Sequence, residues 1–322
     1  MLILLLLLSL TLFGYRYYIK MLELNRPTYT METLPPFEQE IMSETEAFEF
    51  MSSSYFKSHK RRLAVSMPFP VFQTERTLDA LRLWDETGRK PCIPDSLLVP
   101  EDFLPDLLMY TNRDGPNEEL ESAVTEVFSK SSYQKCFGKL VFVYADLTPE
   151  LDAYPNGPGA QFGKFFTLDI VNDYDYVLQV EPDVVPIRSK WVDEFVRITY
   201  MTEMTNRRPF MAVGSTYRPR DDRYMDFLEK IHVNGNAIWS TSERFRLFLR
   251  RVEKEYNGLR FYDWQIFKFL YDMRHWNINE AHYGEFMFSD YIQNFSWWPY
   301  DEEEIRVNYP RTYLIHGNKH TL

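Results

Sequence analysis

Glu181 and Asp183 are two carboxylates one residue apart, a spacing that suits the binding of a divalent cation. They follow an apolar run from Tyr174 to Val180 that predicts a buried strand. Ligands of open α/β sheets bind outside the carboxyl ends of the strands, where this pair would lie. Carboxylate oxygens suit Mg²⁺ and Mn²⁺, ions that bridge the oxygens of a diphosphate readily. The alternative interpretation is a surface turn, because Pro182 and Asp183 are ordinary turn residues.

Three further sites carry residue types suited to binding or proton transfer. Asn234 and Asn236 flank Gly235, where backbone can approach a ligand closely and the carboxamides can form hydrogen bonds with it. Asn-Gly is also the strongest short signal for a hairpin turn. Asp263 stands at the start of an aromatic helix, where Asp is commonly an N-cap. His316 lies between a strand-like segment and Gly317.

These residues need a scaffold, and the pattern of apolar runs predicts one. Short apolar runs alternate with amphipathic segments, which is typical of a mostly parallel sheet covered by helices. The run at 140–144 is continuously apolar, as expected for a strand buried on both faces. Other predicted strands cover 63–67, 104–110, 174–180 and 210–214, and predicted helices cover 77–84, 118–129, 159–171 and a segment from Trp191.

The run NGPGAQFGKFFTLDIVNDYDYVLQVEPDVVP, from Asn156 to Pro186, resembles the donor-binding centre of GT-A glycosyltransferases. Those enzymes show a glycine-rich start, a helix, a strand and then a D-x-D motif. Glu181 stands here at the first acidic position, where Asp is commoner. The resemblance extends over residues 63–320 and implies a GT-A-like (Rossmann-like) mixed, mostly parallel α/β sheet flanked by helices.

The resemblance also implies roles for individual residues. Glu181, Asp183 and His316 would hold Mn²⁺ or Mg²⁺, and Asp263 would take a proton from the acceptor hydroxyl. The implied partners are a nucleotide-diphosphate sugar donor and a glycan, glycoprotein or glycolipid acceptor. The residues implied in donor binding are Ser66, Pro68, Gly159, Lys164, Asn234, Gly235, Asn236 and Lys319.

Composition narrows the classes of partner. A formal net charge of −11 argues against nucleic-acid binding, since phosphate backbones are bound by basic surfaces. Cys92 and Cys136 are the 2 cysteines, too few for a four-cysteine zinc site. They would be either a single disulfide or two free thiols.

The N-terminus predicts a membrane segment at 1–20, followed by an acidic, proline-containing stem at 21–60 and a catalytic domain at 61–322. Residues 2–13 are almost wholly leucine and isoleucine, with no small-x-small cleavage site after them, which favours an uncleaved signal anchor over a cleaved signal peptide. The resemblance to Golgi-type glycosyltransferases implies a single-pass type II protein in the Golgi membrane. Arg16, Lys20 and Arg26 follow the apolar run at 2–13, and their position opposes that orientation, whereas the Asn294 sequon is compatible with it.

The function expected from these residues is metal-dependent transfer of a sugar from a nucleotide diphosphate. A glycoside hydrolase is disfavoured, because its two carboxyls need to flank the scissile bond at least about 5 Å apart. The remaining alternative is a degenerate, non-catalytic transferase that binds carbohydrate or a partner protein. The sequence contains no G-x-x-x-x-G-K-[ST] loop, no H-E-x-x-H pair and no G-x-S-x-G elbow.

Overall fold

The computed structural model describes residues 58, 60–93, 99–113, 115–206, 208–216, 231–275, 279–296 and 300–317. The predicted membrane segment at 1–20 and nearly all of the predicted stem lie outside these ranges. Within them, none of the helices combines the length and the apolar character needed to cross a bilayer.

The first half of the domain alternates strands and helices as the apolar pattern predicts. Parallel pairing joins the first two strands, with Val65 opposite Leu107, and the second and third strands, with Leu108 opposite Val141. The elements are β1 (Leu63–Phe69), α1 (Thr74–Leu83), β2 (Asp106–Thr111), α2 (Glu118–Lys130) and β3 (Leu140–Tyr144).

The second half contains the remaining elements, several of them short. They are α3 (Pro149–Asp152), α4 (Gly157–Phe165), β4 (Tyr176–Gln179), β5 (Val184–Pro186), α5 (Trp191–Asn206), β6 (Ala212–Gly214), β7 (Ile238–Ser240), α6 (Glu243–Tyr256), α7 (Tyr262–Leu270), β8 (Phe286–Phe288), β9 (Ile292–Ser296), α8 (Glu302–Asn308) and β10 (Leu314–Gly317). The predicted helix at 159–171 is shorter than expected, because Leu168 adopts an extended backbone and a 3₁₀ turn follows at Asp169–Asp173.

Two sheets organise these strands. The larger has seven strands in the order β3-β2-β1-β4-β7-β6-β8, in which β7 runs antiparallel to both of its neighbours and the other pairs are parallel. The smaller has the order β5-β10-β9. The predicted mixed, mostly parallel sheet flanked by helices is confirmed, whereas the second sheet was not predicted.

Aromatic side chains pack the helices onto the large sheet. Phe162 of α4 stacks on Tyr262 of α7 with ring centroids 3.8 Å apart, and its edge meets Trp239 of β7. Gly159 of α4 permits this approach, since a Cβ there would lie 1.4 Å from the backbone oxygen of Leu259. Many of the aromatic residues of the sequence therefore lie in the hydrophobic core.

Cys92 and Cys136 form a disulfide with their Cα atoms 5.6 Å apart, which settles the alternative left open by the sequence. Both residues are fully buried. The bond joins the segment after α1 to the 3₁₀ turn Gln134–Cys136, which precedes β3. It therefore ties together two helix-to-strand connections, and Tyr133, at the N-cap of the Gln134–Cys136 turn, packs its ring edge-on against Trp84.

Candidate functional site

The site forms where the chain passes from the large sheet to the small one. Glu181 and Asp183 lie in the turn between β4 and β5, which closes with a hydrogen bond from the Val184 amide to the Glu181 carbonyl. In the small sheet, Val184 of β5 pairs with His316 of β10. This register brings an imidazole from the far end of the chain to the two carboxylates.

His316 is nearly equidistant from the two acidic side chains. Its Nε2 lies 3.4 Å from Glu181 Oε2 and 3.5 Å from Asp183 Oδ2. One ligand atom from each of these three residues lies within 4.8 Å of the other two, a spacing at which all three can hold one cation. The structure thus brings together the three residues predicted as metal ligands.

The other imidazole nitrogen is held by Asn294, since His316 Nδ1 lies 3.0 Å from Asn294 Oδ1. When Nδ1 donates its proton to this oxygen, Nε2 presents its lone pair to the carboxylates. Asn294 is buried, with 2% of its surface exposed. The sequon asparagine is therefore a buried support for a site residue, and its carboxamide is inaccessible in the folded protein.

The pKa values of the three side chains shift in different directions. Burial raises the pKa of Glu181, and the negative charge of Asp183 reinforces this against the opposing effect of His316. Burial acts in the same direction on Asp183, yet its hydrogen bond and charge interaction with His316, helped by Arg76, hold its pKa below the ordinary value. Burial disfavours the imidazolium of His316, but the two carboxylates outweigh it and raise the pKa of His316. The two carboxylates therefore favour the charged form of His316, and His316 in turn favours the charged form of Asp183.

The Asn-Gly-Asn loop before β7 holds Glu181 in place. Asn236 accepts a hydrogen bond from the Glu181 amide at 2.8 Å and donates one to Glu181 Oε2 at 2.9 Å. Gly235 packs against Tyr262, whose hydroxyl would lie 1.9 Å from a Cβ at this position. Asn234 Oδ1 accepts hydrogen bonds from both the amide and the carboxamide of Asn236. The loop therefore orients a carboxylate in addition to forming a turn.

Asp263 lies beside this loop. Its Oδ1 accepts a hydrogen bond from the Trp264 amide at 2.9 Å, and its Oδ2 lies 3.5 Å from Asn234 Nδ2. His232 Nε2 is 3.8 Å from the same Oδ2. The N-cap of α7 is Phe261, and it makes no side-chain capping bond. The N-cap interpretation of Asp263 is therefore wrong, because Asp263 is the second residue of the helix.

A cavity of about 380 Å³ opens next to Glu181 and Asp183. Its walls come from the carboxyl ends of β1, β2 and β4 and from the first turns of α1 and α4, the edge where α/β sheets bind ligands. The lining residues are Pro68, Pro70, Phe72, Gln73, Arg76, Tyr110, Asp152, Tyr154, Gly157, Pro158, Gln161, Phe162, Gln179, Glu181, Pro182, Asp183 and Tyr262.

The remaining residues predicted to bind the donor differ in their position relative to the cavity. Pro68 lines the cavity. Ser66 is buried, and its backbone carbonyl accepts a hydrogen bond from the Val180 amide, just after β4. Gly159 packs on Leu259, and Lys164 lies in the last turn of α4, and neither of them lines the cavity. Lys319 lies outside the described residues.

Arg76 and Gln179 line the cavity and were not identified from the sequence. A signal for Arg76 was present, since a helix that follows a parallel strand begins at the carboxyl edge of the sheet. A cation in the first turn also opposes the helix dipole, which suggests a purpose beyond helix stability.

No protein-family model matches the chain, and no curated protein matches it. Among solved structures, the bifunctional glycosyltransferase WbbM in its apo form is similar over 80% of this chain and 45% of that one, with 9% identity and a TM-score of 0.46. The glycosyltransferase GlyE of Streptococcus pneumoniae TIGR4 is similar over 80% of this chain and 55% of that one, with 10% identity and a TM-score of 0.38. The chain spans about half the length of these two structures. Similarity at this level does not extend to activity, substrate or metal.

Proposed function

We propose that this chain is a glycosyltransferase that moves a sugar from a nucleotide diphosphate donor to the hydroxyl of a glycan, glycoprotein or glycolipid acceptor. The observation that carries the proposal is the convergence of Glu181, Asp183 and His316 beside a cavity at the carboxyl edge of a mostly parallel sheet. The cavity volume of about 380 Å³ suits a small-molecule ligand. The GT-A resemblance of residues 156–186 supports the same assignment.

The donor set fits Mn²⁺ or Mg²⁺. Two carboxylates and one imidazole with its second nitrogen hydrogen-bonded are ligands that Mn²⁺ accepts well, while the carboxylates alone would suit Mg²⁺. When bound, such an ion would neutralise charge on the diphosphate as it leaves. Glu181, Asp183 and His316 would hold the ion, Asn236 would orient Glu181, and Asn294 would orient His316.

Asp263 is the group that we assign to the acceptor. Its Oδ1 is held by the Trp264 amide, which leaves Oδ2 to take the proton of an acceptor hydroxyl. Asn234 and His232 lie beside Oδ2 and fix its direction. A base in this role, on the acceptor side, corresponds to inversion at the anomeric carbon.

Hydrolysis of a glycoside fits the geometry less well. A hydrolase places its two carboxyls on opposite sides of the scissile bond. Glu181 and Asp183 instead both contact Nε2 of the same imidazole, so they face one point. This arrangement favours a shared cation over a sugar held between the two groups.

An oxidising compartment is the proposed setting of the domain. The buried Cys92–Cys136 disulfide is of the kind that persists in secretory compartments and is rare in the cytosol. Together with the apolar segment at 2–13, it supports a lumenal domain held by a single-pass type II anchor in the Golgi membrane.

Calorimetric titration of the full-length chain in detergent tests the function. The ligands are UDP, GDP, CDP and ADP with and without Mn²⁺, and the variants are Asp183→Ala and a matched control, Asp79→Ala, an exposed carboxylate on α1. We expect one nucleotide to bind in the presence of Mn²⁺ and its affinity to fall at least about tenfold in Asp183→Ala alone. Folded protein that binds none of the four would favour a non-catalytic carbohydrate- or partner-binding role.

A further inference from the structure

Arg76 is the one cation among the described residues that line the cavity, which also carries the carboxylates of Asp152, Glu181 and Asp183. Its guanidinium Nη2 lies 3.5 Å from Asp183 Oδ2. Half of the Arg76 side chain is exposed, so this ion pair is a loose one whose exchange for another partner costs little.

The position of Arg76 is unfavourable for a cation unless an anion lies in front of it. It stands in the first turn of α1, where the helix dipole favours negative charge. That turn faces the cavity through Gln73 and Arg76. The dipole and the guanidinium therefore both favour an anion at this end of the cavity, and Asp183 provides one in the structure as it stands.

A cation held by Asp183 would be a second positive charge beside the guanidinium. Repulsion between the two would then oppose cation binding until an anion joined them. A diphosphate next to Asp183 would meet both charges, and a guanidinium matches phosphate oxygens well because it can bind two at once.

We propose that Arg76 is a counterion that changes partner: it neutralises Asp183 in the cation-free site and bonds the diphosphate of the donor once the cation has taken Asp183. This deepens the proposed function, on which it rests. Arg76 consequently opposes binding of the bare cation and favours binding of the nucleotide. Because linkage is reciprocal, it also makes cation and nucleotide bind with positive cooperativity.

Arg76→Gln separates these two effects in the full-length chain. Titration with MnCl₂ alone should show affinity about threefold or more above that of the unmodified protein, since Asp183 loses its competing partner. Titration with the tightest-binding nucleoside diphosphate at saturating Mn²⁺ should show affinity about tenfold lower. A general disturbance of the fold is expected to lower both affinities, and would not raise the affinity for Mn²⁺ while lowering that for the nucleotide.

Two matched variants complete the design. Arg82→Gln removes an arginine of the same helix that pairs with Asp79 and does not line the cavity, so both affinities should stay unchanged. Arg76→Lys keeps the charge and loses the two-pronged bonding, so Mn²⁺ affinity should stay near that of the unmodified protein and nucleotide affinity should fall in part.

The outcomes distinguish this proposal from the function beneath it. If the unmodified protein binds Mn²⁺ and a nucleotide together, but Arg76→Gln weakens Mn²⁺ binding or leaves nucleotide affinity unchanged, the partner change is wrong and the transferase assignment stands. If the unmodified protein binds no nucleotide with Mn²⁺, both proposals are overturned.

Discussion

Asn294 holds His316 through a contact of 3.0 Å between Oδ1 and Nδ1, and it lies on β9, the strand that runs parallel to the histidine's own strand. An asparagine that reads as a glycosylation signal is thus a support of the candidate metal site. The pairing of these two residues fixes which imidazole nitrogen faces the carboxylates.

Asn294→Ala should lower the affinity for Mn²⁺ about tenfold or more, because the His316 ring loses the partner that fixes its tautomer and direction. Asn294→Asp should retain more of the affinity, since a carboxylate still accepts the Nδ1 proton. Calorimetry with MnCl₂ measures both. Equal affinity in Asn294→Ala and the unmodified protein would show that the ring is oriented by packing alone.

Asp263→Asn should abolish most sugar transfer while sparing donor binding. The amide can still accept the Trp264 hydrogen bond but cannot take a proton, so we expect a loss of about a hundredfold or more in turnover. Nucleotide affinity at saturating Mn²⁺ should change less than about threefold, because only the acceptor side has been altered. A parallel fall in both quantities would instead assign Asp263 to the donor site.

Gly159→Ala tests the packing role of this glycine against the predicted donor contact. Its Cβ would lie 1.4 Å from the Leu259 backbone oxygen, so α4 must shift at a cost of about 1–3 kcal/mol or more. We expect a lower thermal midpoint as the main effect, and any fall in nucleotide affinity should follow from the shift of α4, whose first turn lines the cavity. Gly163→Ala is the matched control on the same helix, since its Cβ would meet the movable side chain of Leu259 at 2.8 Å.

Asp193 should make stability depend on pH. It lies in α5 with 3% of its surface exposed, and neither carboxylate oxygen has a hydrogen-bond partner among the described residues. Burial raises the pKa of Asp193 to about 7, with a further contribution from Glu194 and an opposing one from Lys190. Because the folded-state pKa exceeds the unfolded value of about 3.9, this group's stabilisation is full below about pH 4 and is lost as pH rises through about 7.

Asp193→Asn removes that dependence. Urea denaturation should give similar stabilities for the variant and the unmodified protein near pH 4, and a variant more stable by on the order of 4 kcal/mol near pH 8. Asp169→Asn alters an exposed carboxylate and serves as the control. An unchanged difference between variant and unmodified protein across this pH interval would mean that Asp193 is charged in the fold throughout.

Strands β1 to β4 and β6 of the large sheet were predicted, because they lie in apolar runs that alternate with amphipathic helices. Strands β7 and β8 and the small sheet were not predicted, because β5, β7 and β8 have three residues each and β10 has four, too few to display a period. The sequence therefore predicts Glu181, Asp183 and His316 as candidates, but the pairing of Val184 with His316 that joins them is visible only in the fold.

Two glycines illustrate a second limit of prediction from the sequence. Gly235 and Gly159 both mark close approach of backbone, and the sequence cannot tell whether a ligand or a neighbouring segment approaches. In the fold, Tyr262 packs on Gly235 and Leu259 packs on Gly159. Arg76 was missed because an arginine in an amphipathic helix, like Arg82 of the same helix, resembles any solvated side chain unless its position in the first turn is taken into account.

The pairing of β5 with β10 also sets an order of events during synthesis. Domains begin to fold from the N-terminus as the ribosome extends the chain, and the last strand of the large sheet ends at Phe288, before β10 begins at Leu314. A nascent chain can therefore build the large sheet with both carboxylates in place and still lack the imidazole. Premature termination before Leu314 would leave a protein that retains every strand of the large sheet but cannot assemble the three-residue site.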